Sequence, residues 1–156
     1  MAKQHRYTAT VTWTGNLGEG TRSYKGYLRR YDIECPGKPT VRGSADPAYH
    51  GDSERHNPED LLLASLSACH MLWYLHLCAV DKVAVTAYRD VADGVVRANP
   101  DGSAQFEKVT LRPRVTIAAS SCAETAVRLH ERANAMCFIA RSVNFPVEHD
   151  PEIVKG

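Results

Sequence analysis

The chain has 156 residues, of which 44% are hydrophobic and 24% charged, and its net charge is +1. That length suits a single domain, 1–156, with an ordinary core. With a balance this close to neutral, nothing argues for a nucleic-acid or acidic partner. Met1 to Tyr7 lack the apolar stretch of a signal peptide, which points to a cytoplasmic protein. Five cysteines, at 35, 69, 78, 122 and 137, do not make a disulfide scaffold in a chain of this length. In a reducing compartment a disulfide among them would be transient and catalytic.

In chain order, 7–13 alternates β-branched and aromatic residues and predicts a strand. The glycine-rich 14–20 predicts a turn, and 21–34 the returning strand of a hairpin. Residues 35–56 read as a long loop with a short strand near Thr40-Val41-Arg42, and loops of such length are often functional. Asn57 suits a helix N-cap, Pro58 the first helical position, and Glu59 and Asp60 the positive end of the dipole. The apolar run then continues to Val80. Residues 82–95 and 103–118 predict strands about the turn Asn99-Pro100-Asp101-Gly102. Ser120 or Ser121 can cap a second helix to about Ala135, followed by a short helical piece over 138–142 and a final extended segment. Strands, helix, strands and helices in this order give an α+β class.

Leu61 to Val80 holds no Asp, Glu, Lys or Arg and is long enough to cross a bilayer. Ser65, Ser67, His70 and His76 interrupt it, acidic residues flank it, and no basic cluster would orient it. The reading is no membrane span but a helix buried in a globule or between two subunits.

Cys69 lies within this helix, on a face with Ser65, Trp73, Leu62 and His76. Cys78, nine residues on, is half a turn round and about 13 Å along the axis, so the two cannot bond within one helix. Cys78 reads as an inert core thiol. Cys137 falls where the second long helix breaks and the short one starts, and a thiol at a helix N-terminus gains a lower pKa. The plainer reading of both Cys69 and Cys137 is a small buried hydrophobe. Cys35 and Cys122 have polar neighbours and no evident partner. A metal site from Cys69, His70, His76 and Cys137 would lack any recognised ligand spacing.

Asn57-Pro58-Glu59-Asp60-Leu61 followed by Ser67-Ala68-Cys69 resembles the first cysteine motif of the OsmC/organic hydroperoxide resistance family. Cys137, with Phe138 and Ile139, is similar to the family's second cysteine. The resemblance implies an OsmC-like fold, in which antiparallel sheets wrap two long central helices of an intertwined homodimer. It implies a thiol peroxidase without metal, flavin or haem, with its sites at the subunit interface. By the same resemblance Cys69 is the peroxidatic thiol and Cys137 the resolving one, linked as a disulfide during turnover. A dithiol, often lipoyl, then reduces the disulfide by exchange. Apolar residues near Cys69 (Leu62, Leu66, Trp73) would favour organic hydroperoxides. Two other readings of the chain are a non-catalytic relative that binds a hydrophobic small molecule at the dimer interface and a thiol redox sensor.

The family pattern also includes an arginine that stabilises the thiolate and a glutamate that positions it. Glu59 matches the glutamate. It lies ten residues, or about 15 Å of helix, before Cys69, so it would act in the partner subunit or through an arginine. No arginine stands in the first hairpin turn, or in Ala48-Tyr49-His50-Gly51 ahead of the Asn-Pro-Glu motif. Arg22, Arg29, Arg42 and Arg55 are the candidates, with His50 as a weaker substitute. Arg29 is favoured, because on a strand it would share an aromatic face with Tyr27, Tyr31 and Ile33.

Overall fold

A computed structural model describes residues 4–156. The chain divides into two compact units, one ending at Leu61 and the other beginning at Leu62.

In the first unit, β1 (Thr10–Trp13), β2 (Tyr31–Glu34) and β3 (Val41–Gly43) form an antiparallel sheet in that order. The hairpin and the short third strand match the sequence reading, but β1 and β2 are shorter than 7–13 and 21–34. Thr10 pairs with Glu34, and the residues that would face an earlier start of β1 belong to the turn in which the Lys38 amide donates to the Cys35 carbonyl. Within that turn Pro36 has no N–H to give. On the other side, 14–30 folds as a loop. The Asn16 side chain accepts from the amides of Gly18 and Gly20, both at positive φ, a backbone shape that glycine adopts without strain. The Trp13 indole N–H closes the loop by donating to the Leu28 carbonyl at 2.9 Å. A Cβ at Gly43 would lie 2.2 Å from the Tyr31 ring, so this ring packs directly on bare backbone.

The long helix α1 (Pro58–Val80) forms where the sequence places it. Its cap is reciprocal. The Asp60 amide donates to Asn57 Oδ1 at 2.7 Å, and the Asn57 amide donates to Asp60 Oδ2 at 3.2 Å. One face is buried, through Leu66, His70, Tyr74, Leu77 and Cys78. On the opposite side Leu72 is 63% exposed.

In the second unit the two strands predicted over 82–95 and 103–118 become four. These are β4 (Val85–Asp90), β5 (Asp93–Ala98), β6 (Ala104–Leu111) and β7 (Pro113–Ile117). Both hairpin arms break at one corner. Pro113 cannot donate to a ladder, and it restricts Arg112 before it. Asp90 fixes the corner to the helix. Its carboxylate accepts from the Arg112 amide and from the Ser67 hydroxyl, each at 2.6 Å, and Arg112 is also paired with Asp93. After α2 (Ala123–Met136) come β8 (Val147–His149) and β9 (Glu152–Lys155). The resulting sheets are β4-β7-β9 and β5-β6-β8, in which β9 and β8 join in parallel, so these two sheets are mixed rather than purely antiparallel.

The N-cap position of α2 is Cys122 rather than a serine, and the Ser121 hydroxyl instead accepts from the Ala84 amide at 3.0 Å. The short helical piece is a single 3-10 turn over Ala140–Ser142. Tyr74, Leu77, Val115, Ile117, Ala126, Leu129 and Ala133 form the main core between the helices and the β4-β7-β9 sheet. Leu66, Val109 and Leu111 centre a second cluster with Phe106, Phe145 and Val147.

Leu129→Ala opens a cavity at a fully buried site, and urea unfolding should show a loss of about 2–5 kcal/mol. Asn57→Ala removes one cap bond, and the same measurement should show a loss nearer to about 1 kcal/mol.

Candidate active site

The second unit brings two of the four candidate residues together. Cys69 is carried on α1 and is half-buried. Cys137 closes α2 with an extended backbone, φ −66° and ψ 114°, and is 1% exposed. Cys69 lies near enough to Cys137 to contribute to the raised pKa of its thiol. All five cysteines are free thiols.

The environment of Cys137 is the reverse of the one expected from a helix start. It ends α2, and the three-residue turn after it has no dipole comparable to that of a full helix. Burial pushes its thiol up to about 11, and the neighbouring Cys69 adds to the rise. The amides of Ala140 and Ile139 pull the other way, the Ala140 N–H pointing at Cys137 Sγ from 3.4 Å. Cys137 is therefore a protonated, shielded thiol at neutral pH.

Aromatic groups flank the pair. Trp73, one turn after Cys69, meets Phe138 edge to face at 5.6 Å and His76 at 5.7 Å. Leu72, Trp73 and His76 line a shallow apolar recess of about 240 Å³. Phe138 is 64% exposed. Leu66 does not belong to this approach, because it is fully buried in the second cluster of the core. Cys78 sits in the main core and burial raises its pKa, with the Tyr74 hydroxyl beside it. Cys122 is exposed, and the Thr125 hydroxyl and amide draw its thiol below the ordinary value. Among the described residues no group of three His, Cys, Asp or Glu is placed to hold a metal ion.

Glu59 and Arg29 belong to the first unit. Glu59 stands in the first turn of α1, and it and Asp60 add to the burial that raises the Tyr31 phenol. Arg29 lies in the loop before β2, not on a strand, since β2 begins at Tyr31. Its guanidinium carbon sits 4.1 Å from the Tyr27 ring centre and 4.7 Å from that of Tyr24. Its terminal nitrogens donate to the Tyr27 and Tyr24 carbonyls at 2.8 and 2.6 Å. Of the other candidates, Arg22 pairs with Glu19 at 2.5 Å and Arg55 lies 3.7 Å from both Asp32 and Asp52. Neighbouring Arg30 pairs with Asp52 at 2.9 Å. Arg42 and His50 are exposed. Arg29, Arg30, His50 and Asp52 line a polar recess of about 310 Å³.

One feature of the site region escaped the sequence reading. His70 and His130, on the two helices that carry the thiols, form a buried pair with His149 beside them. The available signal was spacing. His70 lies on the α1 face of Leu66 and Tyr74, and His130 on the α2 face of Ala126 and Ala133.

The family model described as OsmC-like protein matches residues 51–152. An OsmC-like protein of unknown function from Vibrio cholerae is 30% identical, with a TM-score of 0.86, over 95% of this chain and 99% of its own. An organic hydroperoxide resistance protein from Elizabethkingia anophelis, 18% identical, superposes with a TM-score of 0.72 over 100% of both chains. An OsmC-like protein from Mycoplasma pneumoniae, 13% identical, gives 0.74 over 97% of this chain and 99% of its own. No curated protein sequence matches. With the motif around Cys69, the second cysteine and the α+β fold all in place, the chain belongs to the OsmC-like protein family.

Proposed function

We propose that this protein is a thiol peroxidase that reduces organic hydroperoxides. The observation that carries this reading is the unequal thiol pair, in which a half-buried Cys69 stands against a buried, protonated Cys137. Such a pair divides the labour of a two-cysteine cycle. The Cys69 thiolate attacks the terminal peroxide oxygen, the O–O bond breaks, and the alcohol leaves with a proton. Cys69 is left as a sulfenic acid. The Cys137 thiol then condenses with it, forming the disulfide and releasing water. An external dithiol, such as a lipoyl group, returns both thiols by exchange.

The shallow apolar recess at Leu72, Trp73 and His76 supports an organic rather than an inorganic peroxide, because a hydrocarbon tail laid on it would cover apolar surface. Arg29 is proposed as the cation that favours the Cys69 thiolate. What supports it is that two rings and two carbonyls hold its guanidinium, while no carboxylate among the described residues is paired with it. Arg22, Arg30 and Arg55 are already paired with acids. Glu59 is proposed to orient that arginine in a homodimer, the open side of α1 facing a second copy.

One equivalent of cumene hydroperoxide should yield a Cys69–Cys137 disulfide, read by non-reducing peptide mapping. A Cys69 that stays free, or oxidises without involving Cys137, would sink the two-cysteine cycle. Arg29→Ala should slow the reaction of Cys69 with the peroxide about tenfold or more, equivalent to ~1.4 kcal/mol, while Arg22→Ala leaves it unchanged in stopped-flow assays. With Cys137 raised from 9.0 to about 11, iodoacetamide near neutral pH should modify it about a hundredfold more slowly than an ordinary thiol, whereas exposed Cys122 reacts readily.

A further inference from the structure

Three of the seven histidines converge on one another between α1, α2 and β8. His70 follows Cys69 on α1, His130 lies two turns before Cys137 on α2, and His149 ends β8. His70 is 1% exposed and His130 fully buried. His70 Nε2 and His130 Nδ1 are 3.0 Å apart, one donating and the other accepting. Their rings are nearly parallel, at 6° with centres 5.3 Å apart. His130 lies face-on against Tyr74 at 3.8 Å, and the Tyr74 hydroxyl donates to the Ala126 carbonyl of α2 at 3.1 Å. His149 approaches both imidazoles, with centres at 5.7 and 6.2 Å. The outer nitrogens, His70 Nδ1 and His130 Nε2, are buried without a hydrogen-bond partner.

As a fastener for two helices this arrangement is expensive. An apolar pair of the same shape would join α1 to α2 without leaving two polar atoms unmatched. What the imidazoles add is sensitivity to charge. In the neutral pair one ring donates and the other accepts. A first proton puts a charge into a site with almost no exposed surface and a third imidazole beside it. A second removes the acceptor and sets two N–H groups against each other.

We infer that the His70–His130 pair is an acid-sensitive joint between α1 and α2, which lets Cys69 stay against Cys137 only while both imidazoles are uncharged, so that the thiol pair comes apart in acid. Burial and then the nearby imidazoles bring His70 down to about 4 and His130 to about 3. In the opened chain each returns to about 6.5. The open state therefore binds protons that the closed state does not. The closed state loses stability as pH falls from about 6.5 towards 4 and keeps it above that range. The titratable groups facing the pair are Tyr74 from α1 and His149 from β8. Among the described residues no carboxylate is hydrogen-bonded to either ring. The consequence for turnover rests on the peroxidase reading, but the acid opening does not.

The test uses the reduced protein and no peroxide. Dithiodipyridine, which reacts with thiols in acid, is followed at Cys137 with exposed Cys122 as the internal reference. Between about pH 6.5 and 4.5, wild-type Cys137 should gain at least about tenfold in relative reactivity, in step with loss of near-ultraviolet circular dichroism. The variant His70→Phe/His130→Phe keeps two flat rings but no site for a proton, and its Cys137 should stay protected. A wild type that stays protected, or a variant that opens at the same pH, overturns the inference. Should the variant fail to fold, ring NMR of wild type decides. Both imidazoles must remain neutral near pH 5.5 in the folded protein, and either one titrating near 6.5 overturns the inference. Failure to form the peroxide-driven disulfide would instead count against the peroxidase reading alone.

Discussion

Tyr74 joins α1 to α2 twice. Its ring lies flat on His130, and its hydroxyl donates to the Ala126 carbonyl. Around it Leu77, Leu129 and Ala133 close the main core. Buried aromatic contact and a satisfied hydroxyl act together here, and the combination fixes rotation and register of the helices as well as their approach. Register also sets where the two thiols lie. Cys69 lies about one turn before Tyr74 on α1, and Cys137 directly follows α2. A slip of one residue on either helix would turn its thiol away.

The sheets of the second unit serve this packing. The break at Arg112-Pro113, tied through Asp90 to Ser67, turns one long hairpin into parts of two sheets. One sheet backs the Tyr74 core and the other backs Leu66. α1 is thereby supported along much of its length while its opposite side, with Leu72, stays open.

The thiols show how position overrides residue type. Cys137 looked like a thiol at a helix start and is one at a helix end, where burial holds its proton on. Cys122, without a role in the sequence reading, is the thiol that stands at a helix start, and it is the one drawn below its usual value. The difference is a shift of a few residues in where the helices begin. That shift was decided by the engagement of Ser121 with Ala84 and by the chain leaving helix geometry at Cys137. Arg29 is a similar case. Its aromatic company was legible, but it stands in a loop and not on a strand face.

By itself the sequence determined the elements whose signals are local. The Asn57-Pro58 start of α1, its apolar run, the β1–β2 hairpin and the family motif at Cys69 all depend on near neighbours, since caps, periodicity and turns act over a few residues. Tertiary structure alone decided which thiols meet, which leucines face the core and which histidines are stripped of water. His70 and His130 are sixty positions apart, and although local spacing puts each on an apolar helix face, nothing near either one in the chain marks the other as its partner. Their pairing follows from how two helices pack, and packing sums many weak contacts between segments distant in sequence.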